Sequence, residues 1–316
     1  ASVADINHEK QEYEELTLSR TAQHTRAFIK VQDGCNQFCT YCIIPFARGR
    51  VRSRKADDVL AEIRGLAAKG YKEVVLTGIH LSSYGVDTGD NLLHLIELVH
   101  EVEGIERIRL GSLEPRIVTE EFAEKLSSMG KICPHFHLSL QSGCDSVLER
   151  MNRRYDTAEY EAGCNILRKY FKHPAITTDV IVGFPGETEE DFEETMRLIE
   201  EVGFDASFSF VYSKRPGTPA ADLPDDTPQE VKLKRLQHLQ AVNNAKADEL
   251  SRAMLGNLER CLVTGEARRG EGVLAARTDN NRVVNFKGDK ALIGTMVNLR
   301  ITEVYPHTLG GVLEAK

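Results

Sequence analysis

Six short apolar runs recur through the first two thirds of the chain, each followed by a loop and an amphipathic helical stretch. The runs occupy residues 28–32, 73–77, 107–111, 135–140, 176–182 and 206–212. Between them, residues 55–69 place Val59, Ile63 and Leu66 on one helical face, and residues 91–102 do the same with Leu95, Leu98 and Val102. Helical patterns continue at 119–129, 157–170 and 188–202, where Thr188 and Asp191 stand at capping-box spacing. Strand and helix in strict alternation predict a parallel sheet in an α/β fold. Residues 28 to 213 give 186 positions for six strands, or 31 per unit. A complete eight-unit barrel of about 250 residues has the same average, so six units predict a partial (βα)6, TIM-like barrel open on one side.

The pattern changes after Pro216, Pro219 and Pro224. Residues 228–255 read as one long helix that Gly256 ends. Short β runs at 260–264, 272–276, 282–286 and 296–304, separated by Gly, Asn and Asp, predict a small all-β, OB-like antiparallel barrel of four or five strands. Residues 1–26 lack sustained apolar periodicity and read as a linker. The expected division is therefore a linker at 1–26, the partial barrel at 27–255 and the β domain at 256–316.

No run of 18 apolar residues appears, and the start is polar, which predicts no membrane partner and a cytoplasmic protein. Net charge is −8, yet from Gly256 onward nine Lys/Arg face seven Asp/Glu, leaving +2 there and −10 on the body. An acidic body with a slightly basic tail domain is compatible with RNA binding. Seven cysteines are an odd number, and three of them fall within eight positions. That pattern speaks against a disulfide framework and for metal ligation in a reducing compartment.

Those three are Cys35, Cys39 and Cys42, spaced C-x3-C-x2-C in the loop after the first strand, at the end where barrels place their active sites. Three thiolates can hold three irons of a [4Fe–4S] cube and leave the fourth without a protein ligand. An open iron is what S-adenosylmethionine (SAM) chemistry requires: the methionine moiety chelates it, and an electron from the cluster cleaves the sulfonium to a deoxyadenosyl radical. The competing reading is structural zinc, which takes four ligands; no fourth Cys or His is close in sequence. Cys133, Cys144, Cys164 and Cys261 have no ligand spacing and read as buried small residues.

Residues 34–49 (GCNQFCTYCIIPFARG) with Ser53 and Arg54 resemble the signature of the radical SAM methylthiotransferases. Residues 137–143 (HLSLQSG), 151–153 (MNR), 178–188 (TDVIVGFPGET) and 212–218 (YSKRPGT) resemble further motifs of the family. The resemblance implies a radical SAM barrel followed by a TRAM domain that holds RNA. It also implies a tRNA partner gripped at the anticodon loop. Residues 76–85 (LTGIHLSSYG) resemble the branch that methylthiolates C2 of N6-threonylcarbamoyladenosine at position 37 of tRNA. Same-family alternatives are isopentenyladenosine-37 in tRNA and an aspartate of a ribosomal protein. Family members begin with a further domain whose three cysteines hold a second [4Fe–4S] cluster. With no cysteine before Cys35, the expectation is that this chain lacks that domain and by itself cleaves SAM without inserting sulfur. The electron donor and the sulfur source stay unidentified, as do the catalytic residues.

In such a barrel the strand C-termini face the cofactor. Thr77 and Gly78 end the second strand, where a glycine admits the methionyl amine or is an ordinary turn residue. Ser112 ends the third strand. Gln141 ends the fourth, with an amide suited to ribose or carboxylate. Arg153, chosen over Arg154 by its resemblance to the family's Asn-Arg, suits the methionyl carboxylate. Asp179 lies among apolar neighbours on the fifth strand, as a SAM contact or as a structural partner of Arg153. Phe184, in the Gly183–Gly186 turn, covers the adenine, and Tyr41 meets it through its backbone as the resemblance implies. Arg48, Arg50, Arg52, Arg54 and Lys55 put five cations in eight residues, either a solvated loop or, as favoured here, a tRNA phosphate contact. A rival of another class is a non-catalytic RNA-binding module with structural zinc.

Overall fold

The computed structural model describes Tyr13, residues 25–268 and residues 270–314, so the expected linker lies almost wholly outside the described residues. β1 (Arg26–Asp33) leads through α1 (Ile44–Arg48) and β2 (Arg52–Ser53) to α2 (Ala56–Ala67). β3 (Glu73–Gly78), α3 (Leu92–His100), β4 (Arg107–Leu110), α4 (Glu120–Ser128) and β5 (His135–His137) follow. Then come α5 (Asp145–Arg150), α6 (Thr157–Tyr170), β6 (Ala175–Val182), α7 (Glu189–Val202) and β7 (Ala206–Val211).

β1, β3 and β4 pair in parallel, as do β5, β6 and β7. Parallel bridges from Ile108 to Ile132 and from Leu113 to Leu138 link the two groups. Six parallel strands in chain order make the expected partial barrel. Each strand turns one face to the surrounding helices: Ile29, Val74, Ile108, Phe136 and Val180 share one buried core with Ile63, Leu95, Leu126 and Ile199. Each such side chain contributes about 2 kcal/mol on burial. The caps act as their sequence dictates. Thr188 and Asp191 form the capping box of α7, Asp156 and Glu159 form that of α6, and Gly203 closes α7 at φ 62°. The run 135–140 is strand only as far as His137, because Gln141 is held at φ 70°, off the extended conformation.

α8 (Gln229–Arg252) leads to β8 (Leu258–Glu266), β9 (Val273–Thr278), β10 (Val283–Lys287), β11 (Met296–Tyr305) and β12 (Thr308–Leu313). These close a barrel in the order β10-β12-β11-β8-β9, around Cys261, Val263, Leu274, Phe286 and Ile301. The barrel is antiparallel except where β12 closes it against β10 in parallel. β12 escapes the β-run pattern because Gly310 and Gly311 interrupt it. Its backbone nevertheless packs closely: a Cβ at Gly311 would stand 3.0 Å from the Arg300 carbonyl.

The small barrel docks on the N-terminal ends of the parallel strands. Glu73, fully buried at the start of β3, pairs with Arg107 and Arg109. Arg107 Nη1 reaches on to Asp279 Oδ1 and to the Arg277 carbonyl, both at 2.9 Å. Arg282 pairs with Asp205 at 2.6 Å, and Asn281 Nδ2 reaches His135 Nε2 at 3.4 Å. The turn between β9 and β10 thus closes the N-terminal mouth. Among the described residues, no helix is long and apolar enough to cross a membrane.

Candidate cluster and cofactor site

The loop carrying the three cysteines leaves β1 at the opposite, C-terminal mouth. Gly34 permits its first turn: φ is +71°, and a Cβ there would lie 1.8 Å from the Arg50 carbonyl oxygen. The close approach lets the Cys35 amide donate to the Gly49 carbonyl at 3.1 Å. Gln32, fully buried, ties the loop to the next strand. Its Nε2 donates to the Asp33 and Gly34 carbonyls, both at 2.7 Å, while its Oε1 accepts the His80 amide at 2.8 Å. The far side of the loop is pinned to the end of α5. Thr40 Oγ1 donates to the Arg150 carbonyl at 2.8 Å, and Asn152, at φ 56°, donates to the Phe38 carbonyl at 2.9 Å.

Strand ends from around the barrel converge on this loop. Arg153 Nη1 donates to Cys39 Sγ at 3.2 Å, while its Nε donates to the Tyr155 hydroxyl at 3.0 Å. Tyr41 Oη donates to Gln141 Oε1 at 2.9 Å, and the Tyr41 ring lies edge-on to Phe184 with centroids 6.4 Å apart. Arg154, the neighbour of Arg153, is exposed. Thr77 Oγ1 bonds the Ile29 carbonyl at 3.3 Å. At Gly78 a Cβ would come within 2.8 Å of Gln32 Oε1, so packing alone demands a glycine there. Ser112 is exposed beyond β4. Asp179 does not pair with Arg153; its Oδ2 lies 3.1 Å from His137 Nε2 and 3.5 Å from Ser139 Oγ.

Cys35 and Cys39 are buried, Cys42 is half-buried, and all three are free thiols. Burial raises the pKa of Cys35 and of Cys42; each is raised further by its neighbouring thiols and lowered by Arg153. The sulfurs therefore share one electrostatic neighbourhood. Yet among the described residues, no group of three His, Cys, Asp or Glu side chains is compact enough to hold a single metal ion. Structural zinc takes four donors, whereas this loop offers three cysteines. Three thiols on one loop at C-x3-C-x2-C spacing, with Arg153 against one of them, suit three corners of a multi-iron cube. Arg153 would favour their thiolate form. Cys133, Cys144, Cys164 and Cys261 are buried away from any such group, as their lack of spacing implied.

The basic loop divides. Arg48, Arg50 and Lys55 are exposed, and Arg50 lies over the Phe38 ring at 4.5 Å. Arg54 is corrected: it is 2% exposed and paired with Glu62, so it cannot meet a phosphate. Arg52 is likewise turned inward, with Nη2 3.3 Å from Asp33 and Nη1 donating to the Arg48 carbonyl at 2.9 Å. Both give the loop its shape. Sequence reasoning passed over Gln32, Asn152, Tyr155 and His80. Asn152 and His80 lay inside the quoted motifs with no role given to them, and Gln32 carried a signal as an uncharged polar residue closing an apolar run.

A partial barrel that gathers three cysteines and an arginine at its C-terminal mouth defines an iron–sulfur, SAM-dependent class. Residues 29–199 match the radical SAM superfamily, and this chain belongs to it. Residues 252–313 match the TRAM domain. The chain is 46% identical over 315 residues to the tRNA-2-methylthio-N(6)-dimethylallyladenosine synthase of Bordetella petrii, and 48% identical over 292 residues to that of Aromatoleum aromaticum. These alignments cover 98% and 90% of the chain, which spans 65% of the length of either relative. Both relatives are named for the dimethylallyl (isopentenyl) substituent, the alternative to the threonylcarbamoyl expectation. Two solved structures share the barrel fold. Coproporphyrinogen III oxidase (HemN) of Escherichia coli has a TM-score of 0.54 at 16% identity, covering 82% of this chain and 68% of that one. The radical SAM methyltransferase TsrM of Kitasatospora setae has a TM-score of 0.53 at 20% identity, covering 62% and 38%.

Proposed function

We propose that this chain forms the barrel and RNA-gripping parts of a tRNA methylthiotransferase acting at C2 of adenosine 37 that bears an N6-threonylcarbamoyl group. The observation that carries the reading is the three-cysteine loop at the C-terminal mouth, with Arg153 against Cys39, in one chain with a TRAM domain. A [4Fe–4S] cluster held by Cys35, Cys39 and Cys42, with SAM on its open iron, would supply hydrogen abstraction from an inert aromatic C–H.

The chain's own residues bind and orient. Arg153, half-buried beside Cys39, presents guanidinium donors to the methionyl carboxylate. Thr77 and Gly78 flank the methionyl amine, and Ser112 stands at the rim. Gln141, steadied by Tyr41, turns its remaining amide capacity to the ribose. Asp179, steadied by His137, offers a carboxylate on the same wall. The Tyr41 backbone covers the adenine; Phe184, fully buried, does not reach it and packs behind Tyr41 instead.

Adenosine 37 lies in a single-stranded loop, so its base can be splayed into the mouth at modest cost. Arg48, Arg50 and Lys55 offer cations to the flanking phosphates. The TRAM domain sits at the other mouth, about 25 Å away along an eight-residue strand. It would therefore hold RNA backbone remote from the target base.

A second reading, with dimethylallyl on the same adenosine, is favoured by the names of the relatives. Mass spectrometry of nucleosides from tRNA of cells lacking the gene tests both. Loss of the methylthio-threonylcarbamoyl derivative supports the first, and loss of the methylthio-dimethylallyl derivative supports the second. An unchanged nucleoside profile defeats both.

A further inference from the structure

The turn after β3 holds an imidazole that no step above uses. His80 Nε2 is shielded from solvent and has no hydrogen-bond partner. Its ring cannot swing freely to find one, because Nδ1 lies 2.6 Å from Ser83 Oγ and the His80 amide is held by Gln32. A buried ring nitrogen left without a partner is unfavourable, so it calls for a ligand group.

A second feature lies beside it. Ser82 Oγ accepts the Glu114 amide at 2.9 Å, joining the turn after β3 to the turn after β4. Arg116 follows in that turn, with Nε donating to Glu114 Oε1 at 2.7 Å and a side chain 44% exposed. Among the described residues, neither of its terminal nitrogens meets a partner. Arg116 and Arg153 both lie close enough to His80 to depress its pKa, after burial as the largest cause, to about 4. The imidazole is thus neutral at neutral pH, and its surroundings are cationic.

We infer that His80 Nε2 and the outer end of Arg116 read the N6 substituent of the target adenosine and select one that ends in a carboxylate. This rests on the proposed tRNA function and specifies its substrate class. A carboxylate accepts from the guanidinium and answers the surplus positive charge, while the imidazole bonds the oxygen or amide hydrogen nearest it. An apolar dimethylallyl group would leave His80 Nε2 unsatisfied and give the guanidinium no carboxylate. Sites built to hydrogen-bond a group reject analogues lacking it far more strongly than apolar pockets reject polar isosteres.

The test uses the full-length protein with SAM and anticodon stem-loop RNAs. Their adenosine 37 carries threonylcarbamoyl, its methyl ester or dimethylallyl, and binding is read by fluorescence anisotropy. The expected result is about ten-fold tighter binding of the acid than of the ester or the dimethylallyl RNA. His80→Leu and Arg116→Gln should each cut that ratio to about two-fold, and His80→Asn should restore part of it. A ratio is insensitive to the misfolded fraction, so poor folding cannot imitate the outcome. Equal binding of acid and ester by the unmodified protein overturns the inference while leaving the tRNA reading intact. So does a His80→Leu variant that weakens SAM binding and keeps the acid preference. Failure to bind any of the RNAs overturns both.

Discussion

The guanidinium of Arg153 donates to the sulfur of Cys39 across 3.2 Å, although 114 positions separate them in the chain. One side chain thus touches one candidate cluster ligand and faces the expected SAM site. Arg153→Met should lower SAM affinity at least ten-fold, since a charge-assisted pair contributes about 1.5–3 kcal/mol. Equilibrium dialysis with labelled SAM on the reconstituted protein measures it; unchanged affinity would remove Arg153 from the cofactor site.

The loop depends on Gly34. In Gly34→Ala the new methyl would meet the Arg50 carbonyl at 1.8 Å on a backbone at φ +71°, so the turn must open. We expect a loss of at least about 2 kcal/mol of stability and a sharp fall in iron bound per chain. Iron analysis after anaerobic reconstitution, beside a thermal melt, checks both. Full iron loading in the variant would contradict this account of the loop.

Asn152 clamps the loop from the other side, and its left-handed backbone suits asparagine better than most residues. Asn152→Ala should cost about 1–2 kcal/mol and make reconstitution less complete. Asn152→Gly, which keeps the backbone conformation, separates the lost hydrogen bonds from the backbone strain. If Gly and Ala behave alike, the bonds matter; if Gly is harmless, the strain does.

The domain junction should respond to acid through His135. Burial, followed by Arg109 and other nearby cations, lowers its pKa to about 3. As pH falls below the ordinary histidine value near 6.5, the unfolded chain takes up the proton first. Stability that is intact above pH 6.5 is therefore lost progressively down to about pH 3. Between pH 6.5 and 5 this amounts to about 2 kcal/mol. Urea titrations at the two pH values should show that decrement, and His135→Asn should show much less of it.

The same junction carries a buried charge cluster. Glu73→Gln would take their shared carboxylate from Arg109 and from Arg107, which keeps only Asp279. A loss of about 3–5 kcal/mol is expected, because removing one member of a buried pair strands the other charge. Calorimetry should resolve a separate, earlier transition if the two barrels come apart. A single transition at the unmodified temperature would rule out the cluster as the latch.

Much of this was written locally. Apolar periodicity marked all six parallel strands and the longer helices between them, since one face of each must be buried wherever it ends up. The capping box of α7 was legible for the same reason, being a bond among neighbours in sequence. α1, β2 and α5 went unseen because they are too short for a period to show. The cysteine spacing announced its chemistry without any fold, because thiolate ligation depends on donor type and short-range reach. The charge of the basic loop was equally plain, yet the sequence could not say that Arg54 turns inward to Glu62 while Arg48 stays in solvent.

What the tertiary structure alone decided are pairings across long stretches of chain. It set Gln32 against His80, Asn152 against Phe38 and Asp179 against His137 rather than Arg153. It also put the TRAM domain on the mouth opposite the cysteines, through the Arg107–Asp279 pair. The physical reason is one of range. Propensity, capping and ligand type act over a few residues, whereas burial brings side chains together only after the whole barrel has closed.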